Sequence, residues 1–228
     1  MLFAPDSPLR QLPNFPAQQL LVLDGIRYGM EMSDLAYSRL VSRLQLISES
    51  REPTPEDFVA TYFDAWSMVS VTERVRNLTA KLPGLRQKDP EVQSFMKKTA
   101  AVKDVRNFIE HSEGDITEIV QSNLPYWGTL NWVWTIDDHH YRLYSLRCGV
   151  VREQEIVPAI NPLGKTASTP IGMVTLSVSK YQSELSILHA AVVRFARVLE
   201  QNVANTSAAP DTMSDVLVSV DLTTNDDG

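Results

Sequence analysis

The chain has 228 residues, of which 43% are hydrophobic, and its formal net charge is −7. That apolar content suffices for a buried core, and the length suits one large domain. The single cysteine, Cys148, excludes an internal disulfide and a cysteine-based zinc site, and no apolar run reaches the roughly 18 residues that span a membrane. We therefore expect a soluble cytoplasmic protein with no membrane partner.

The negative charge is concentrated at the end of the chain. No Lys or Arg follows Arg197, whereas five aspartates lie after residue 206. The remainder is close to neutral, so net charge neither favours nor excludes an RNA partner. We predict that residues 206–228 form a disordered acidic tail.

The first half of the chain has the hydrophobic period of amphipathic helices. Gly25 and Gly29, four positions apart on the first helix, would let another backbone approach closely. The second and third helices start at Thr54 and Asp89, each a capping residue followed by proline. The predicted helices are 17–48, 54–82, 89–114 and a shorter piece at 116–124.

From Pro125 the hydrophobic period changes from 3.6 to 2, which indicates β-strands. Leu130, Trp132, Trp134 and Ile136 should share one apolar face, and core packing is favoured for these tryptophans over base stacking. The predicted strands are 130–136, 141–150 and 173–179, and the closing helix is 182–205.

These elements predict a mainly α fold, a helical bundle with a small antiparallel β-sheet inserted before the last helix at about 127–178. A sheet with one apolar face cannot stand alone, so it should pack on the helices. We expect one domain over 1–205.

Several kinds of site are absent from the sequence or weakly indicated. There is no phosphate-binding glycine loop and no nucleophile elbow, so no cofactor is expected. Asp137, Asp138, His139 and His140 could bind a metal, but neighbours on a strand point to opposite faces, and a solvated hairpin turn is the simpler interpretation. His189, beside the apolar stripe of the last helix, should be a packed structural histidine.

The segment from Arg106 to His111 is the strongest candidate site. Arg106 and Glu110 are i,i+4 neighbours on the third helix, as are Asn107 and His111. Arg106 and His111 lie about 140° apart around the helix axis, so they could converge only on a ligand that crosses the helix end. A surface ion pair between Arg106 and Glu110 is the structural alternative.

The stretch "RNFIEH" resembles the Arg-Asn-x-x-x-His signature of the HEPN superfamily, compact helical domains that are typically dimeric and include many metal-independent ribonucleases. The resemblance covers about 17–120 and 182–205, with the strands as an insertion. It implies a homodimeric endoribonuclease that cleaves RNA by attack of the 2′-hydroxyl, in growth arrest or defence. Glu113 stands where members modified by a partner nucleotidyltransferase carry tyrosine, which argues against that form of regulation.

The resemblance also implies a role for each residue of the motif. Arg106 would hold the scissile phosphate, because a guanidinium fork grips two phosphate oxygens. His111 would move protons, since an imidazole titrates close to neutral pH. Asn107 would orient the imidazole or the substrate, and Glu110 would act on His111 through its charge.

Two other functions stay open at this stage. One is a non-catalytic HEPN-like module that dimerises and binds a regulatory protein or a nucleotide, which the lack of a clear basic strip favours. The other is a metal-dependent enzyme that uses residues 137–140.

Overall fold

The computed structural model describes residues 2–50, 52–114, 116–121, 125–137, 140–149, 170–206, 215 and 217–219. Within these ranges the protein is mainly α-helical with one small antiparallel sheet, as predicted. No helix in this part of the chain combines the length and apolar character needed to cross a membrane. The helices are α1 (Ala17–Glu49), α2 (Pro55–Lys81), α3 (Pro90–Lys98), α4 (Ala101–His111), α5 (Ile116–Gln121) and α6 (Leu185–Ala204).

The predicted helix starts are confirmed at α2 and α3. The Thr54 hydroxyl accepts a hydrogen bond from the Asp57 backbone, and the Asp57 carboxylate accepts one from the Thr54 backbone. This reciprocal pair is a capping box, which satisfies amide groups that lack a partner within the helix. Asp89 caps α3 in a similar way by accepting from the Glu91 amide at 2.8 Å.

The predicted third helix is two helices, α3 and α4, so the prediction of one continuous helix was wrong. The break lies at Thr99, which is fully buried and whose hydroxyl bonds the Phe95 carbonyl at 2.7 Å. Arg76, from α2, donates to the Thr99 hydroxyl at 2.7 Å and also to the Met96 carbonyl. These tertiary bonds take the place of the next turn of the helical ladder, so the chain bends here.

Gly25 and Gly29 were predicted to let another backbone approach; the atoms that approach them most closely belong to side chains of α2. Both glycines face α2, and a Cβ atom at Gly29 would lie 2.6 Å from Cγ2 of Val75, inside van der Waals contact. At Gly25 the corresponding distance to Cδ1 of Leu78 is 3.1 Å. The two glycines thus allow long antiparallel helices to pack closely along this stretch.

The strands are β1 (Thr129–Thr135), β2 (Tyr141–Arg147), β3 (Ile171–Val178) and β4 (Tyr181–Glu184). They form one sheet with the order β2-β1-β3-β4, which is antiparallel throughout. The strand β4 was predicted as the start of the last helix, but a turn through Ser179, at φ 49°, pairs it with β3. The pairing of β1 with β3 contains a β-bulge, because β3 has one extra residue between Gly172 and Thr175, where Met173 adopts φ 52°. On β1, Trp132 and Val133 are both buried.

The sheet and the helices share one hydrophobic core. Leu130 and Trp132 are buried against α1, α2 and α4, and the Trp132 indole donates to Ser48 of α1 at 2.9 Å. The Tyr62 hydroxyl of α2 lies 2.8 Å from the carbonyls of Gly128 and Leu146, and burial raises the pKa of this phenol. The predicted packing of the sheet on the helices is therefore confirmed.

The two ends of the chain contact the helices in ways that the sequence did not indicate. Phe3, Leu9 and Leu12 are buried in a second core with α1 and α6. Most of the predicted acidic tail lies outside the described residues. Within it, Asp215 accepts a hydrogen bond from the Tyr28 hydroxyl and lies 3.5 Å from the Arg27 guanidinium.

Candidate functional site

The helix α4 presents the candidate residues on two different sides. Val102 and Val105 are buried in the core, and Phe108 packs against Tyr181 of β4. These contacts fix the rotation of the helix. Arg106 consequently projects towards α2, about 100° around the axis from Val105.

Arg106 is held by two carboxylates. Its Nη1 donates to Glu73 of α2 and its Nη2 pairs with Glu110, one turn further along α4. The hydrogen bond that Arg106 donates to Glu73 raises the pKa of the Arg106 guanidinium, and Glu110 makes a smaller contribution in the same direction. This side chain is therefore a permanent cation. The predicted pair of Arg106 and Glu110 is therefore present, and a third residue joins it.

Glu73 is the residue of this site that sequence reasoning missed. Only 6% of it is exposed, and it lies 33 positions before Arg106 in the chain. Its one sequence signal is that it interrupts the buried stripe of α2 next to Thr72 and Val75. Because buried carboxylates normally have a cationic partner, that position could have been singled out, although its partner could not.

A polar groove of about 450 Å³ opens between α2 and α4 beside Arg106. We call it the cationic groove, because Arg74, Lys81 and Arg106 line it against a single lining carboxylate, Glu110. Ser70 and Asn77 add neutral hydrogen-bonding groups. Glu73 and Glu110 both pair with Arg106, so the positive charge that remains comes from Arg74 and Lys81. This charge with polar neighbours suits an anionic ligand such as a phosphodiester.

Asn107 and His111 do not line the cationic groove. His111 is exposed at the last position of α4, and within the described ranges its imidazole has no hydrogen-bond or ion-pair partner. Asn107 is half-buried on the same outer side of the helix. The structure thus brings Arg106 and Glu110 together with Glu73, while His111 remains on the other side of α4 within one copy of the chain.

A second groove, about 640 Å³ in volume and mainly apolar, continues from the first one. Ser70 and Val71 line both grooves, so the two grooves adjoin along α2. Trp66 and Trp127 meet edge to face in it, with ring centroids 6.4 Å apart. We call it the aromatic groove; its remaining lining residues are Met32, Val59, Tyr62, Phe63, Ser67 and Cys148.

Half of the proposed metal set can be placed. The His140 imidazole lies 2.7 Å from the Asp137 carboxylate in the turn after β1, whereas Asp138 and His139 lie outside the described residues. Among the residues that are placed, no three His, Cys, Asp or Glu side chains come close enough to hold a metal ion.

His189 is a packed structural histidine, as predicted. Its Nε2 lies 2.9 Å from Oδ1 of Asp34, and its ring stacks on Tyr37 at a centroid distance of 4.2 Å. The Tyr37 hydroxyl donates to Ser186 at 3.0 Å. This cluster joins α1 to α6.

The chain matches no protein-family model, no curated protein and no solved structure.

Proposed function

We propose that this protein is a HEPN-like, metal-independent endoribonuclease that works in the cytoplasm as a homodimer. The observation that supports this best is Arg106, which is anchored by Glu73 and Glu110 in the wall of a groove with two further cations, Arg74 and Lys81. A guanidinium fixed in this way is pre-organised to bind a phosphodiester, because little of its conformational freedom remains to be lost.

The chemistry needs proton transfer and charge stabilisation. A base takes the proton of the 2′-hydroxyl, the 2′-oxygen attacks phosphorus, and the bond to the 5′-oxygen breaks as that oxygen gains a proton. The products are a 2′,3′-cyclic phosphate and a 5′-hydroxyl. His111 is the proton carrier in this proposal, and Arg106 stabilises the charge that develops on the phosphoryl oxygens.

In this proposal a second copy of the chain supplies the second imidazole that the reaction needs. In a single copy Arg106 and His111 lie on different sides of α4, and one imidazole cannot serve as both acid and base in the same step. A two-fold dimer would provide two imidazoles and two guanidiniums around one RNA strand. Asn107, one turn before His111, would orient the imidazole. A role in growth arrest or defence would follow from such an activity.

The competing proposal is a non-catalytic dimeric module that binds a nucleotide or a regulatory protein. One observation favours it: both terminal nitrogens of the Arg106 guanidinium already contact carboxylates. In that case Arg106 would be a structural link between α2 and α4, and the cationic groove would bind an anion without reacting with it.

Cleavage of a mixed pool of labelled RNA in EDTA separates these functions. We expect cleavage that leaves cyclic phosphate ends, that falls about 10²- to 10⁴-fold in His111→Ala, and that falls about 10²- to 10³-fold in Arg106→Ala. Arg194→Ala is the matched control, because Arg194 also pairs with a glutamate but lies on the exposed face of α6; its rate should equal that of the unmodified protein. RNA binding without cleavage would select the module, and cleavage only with added metal would select residues 137–140.

A further inference from the structure

The outer sides of α1 and α2 carry a continuous apolar surface beside the cationic groove. Val59, Phe63 and Leu35 are 70%, 64% and 58% exposed. Met32 and Trp127 are each about half exposed. We call this region the apolar surface and define it as Met32, Leu35, Val59, Phe63, Trp66 and Trp127.

The apolar surface has a ridge and a groove. Met32 and Leu35 lie three positions apart on the outer side of α1, where they form an exposed apolar ridge. The aromatic groove lies next to it and is lined by Met32 together with Phe63 and Trp127. Such a surface can be complementary to itself, since the ridge of one copy fits the groove of another.

The size of the apolar surface suits a protein interface. Six large side chains, all but Trp66 at least half exposed, offer on the order of 500 Å² of apolar area. That lies in the upper part of the range for the largest apolar patch of a typical monomer, about 300–600 Å². It also matches the apolar share of a standard interface, which buries about 800 Å² per partner.

The chemistry of the surface favours a protein over RNA. The residues that line the aromatic groove include no charged side chain. An RNA strand brings a phosphate with every base and needs cations to neutralise it. Aliphatic side chains such as Leu35 and Val59 also offer no stacking plane, whereas they pack well against another apolar helix.

We propose that a second copy of this chain docks on the apolar surface through a two-fold contact, with the α1 ridge of each copy in the aromatic groove of the other. This inference deepens the proposed function, which calls for a dimer but not for any particular interface. Because Ser70 and Val71 line both grooves, each cationic groove would lie at the rim of this interface, where one RNA strand could reach residues of both copies.

Sedimentation velocity over a micromolar concentration series, without RNA, tests the interface. We expect the unmodified protein to dimerise and Phe63→Glu to weaken the dimer about 30-fold or more, since a buried charge in an interface is costly. Ile187→Glu is the matched control: Ile187 is also an exposed apolar residue, but it lies on α6, which packs on the opposite side of α1. The Ile187→Glu variant should dimerise as strongly as the unmodified protein.

Phe63 is largely exposed, so its substitution should leave the fold intact, which equal melting temperatures would verify. A second variant, Val59→Lys, must give the same loss of dimer. A protein that is monomeric throughout, or a Phe63→Glu variant that dimerises normally, would overturn the inference. The inference would also be overturned if single-stranded RNA quenched the tryptophan fluorescence of a monomeric protein and Phe63→Glu abolished this quenching. A dimer that leaves RNA intact would instead refute only the proposed function.

Discussion

The structural role of Arg106 depends on the side chains that it contacts. On an isolated helix it would pair only with Glu110, a solvent-exposed contact worth a few tenths of a kcal/mol. The Glu73 carboxylate makes the interaction stronger, because it is buried. A buried carboxylate that lost its cationic partner would not regain the hydration it has in water, which would cost free energy. Arg106 thereby links α2 to α4 and faces the cationic groove in one orientation.

We expect Glu73→Gln to lower the free energy of unfolding by about 1.5 kcal/mol, since a charge-assisted hydrogen bond is replaced by a neutral one at a buried position. Glu110→Gln is the comparison, because Glu110 is exposed and adjacent in the helix; its loss should stay below about 0.5 kcal/mol. Urea denaturation of both variants measures the difference. Equal losses would mean that Glu73 is not the dominant partner of Arg106.

At the level of the elements, the packing of α2 on α1 depends on the space that two glycines leave for side chains of α2. Gly29 faces Val75, which is fully buried and stiff because it branches at Cβ. Gly25 faces the flexible end of Leu78 instead. The same substitution should therefore have different effects at the two positions, although both glycines lie on one helix and one face.

We expect Gly29→Ala to destabilise the protein by about 1–3 kcal/mol, because the new methyl group overlaps Val75 and forces the helices apart. For Gly25→Ala we expect a change within about 0.5 kcal/mol, since alanine favours the helix by about 1 kcal/mol and this offsets a mild clash. Thermal and urea unfolding of the two variants test this. A Gly29→Ala variant as stable as the unmodified protein would mean that α1 and α2 lie further apart than described.

At the scale of the whole molecule, the sheet and the helical bundle depend on the same buried side chains. Leu130 of β1 belongs to the same buried cluster as residues of α1, α2 and α4, and the Tyr62 hydroxyl of α2 bonds the carbonyls of Gly128, before β1, and Leu146, in β2. If either part lost its structure, buried apolar side chains of the other part would be exposed to water. The two should unfold together.

We expect Leu130→Ala to cost about 2–5 kcal/mol and to shift the helical circular dichroism and the tryptophan fluorescence transitions by the same amount. Val120→Ala, at an exposed position of α5, should change stability by less than about 0.5 kcal/mol. If only the fluorescence transition moved in Leu130→Ala, the sheet would be a separate unit, and the prediction of one domain over 1–205 would be wrong.

The features that could be predicted from the sequence depend on neighbours within about four positions. Thr54 and Asp89, each followed by proline, determined where α2 and α3 begin, and the period of apolar residues distinguished helices from strands. The motif from Arg106 to His111 was also visible. The missed elements have a common cause. The break at Thr99 depends on Arg76, and β4 forms because β3 is there to pair with it.

The sequence by itself thus determined the mainly α architecture, the inserted sheet and the candidate residues of α4, because capping, periodicity and turn signals act locally. Only the tertiary structure decided that Arg106 is anchored by Glu73, that His111 lies outside the cationic groove, and that an apolar surface borders it. Each of these depends on which distant side chains meet when α2, α4 and the sheet pack around one core, and the spacing of residues along the chain does not specify such contacts.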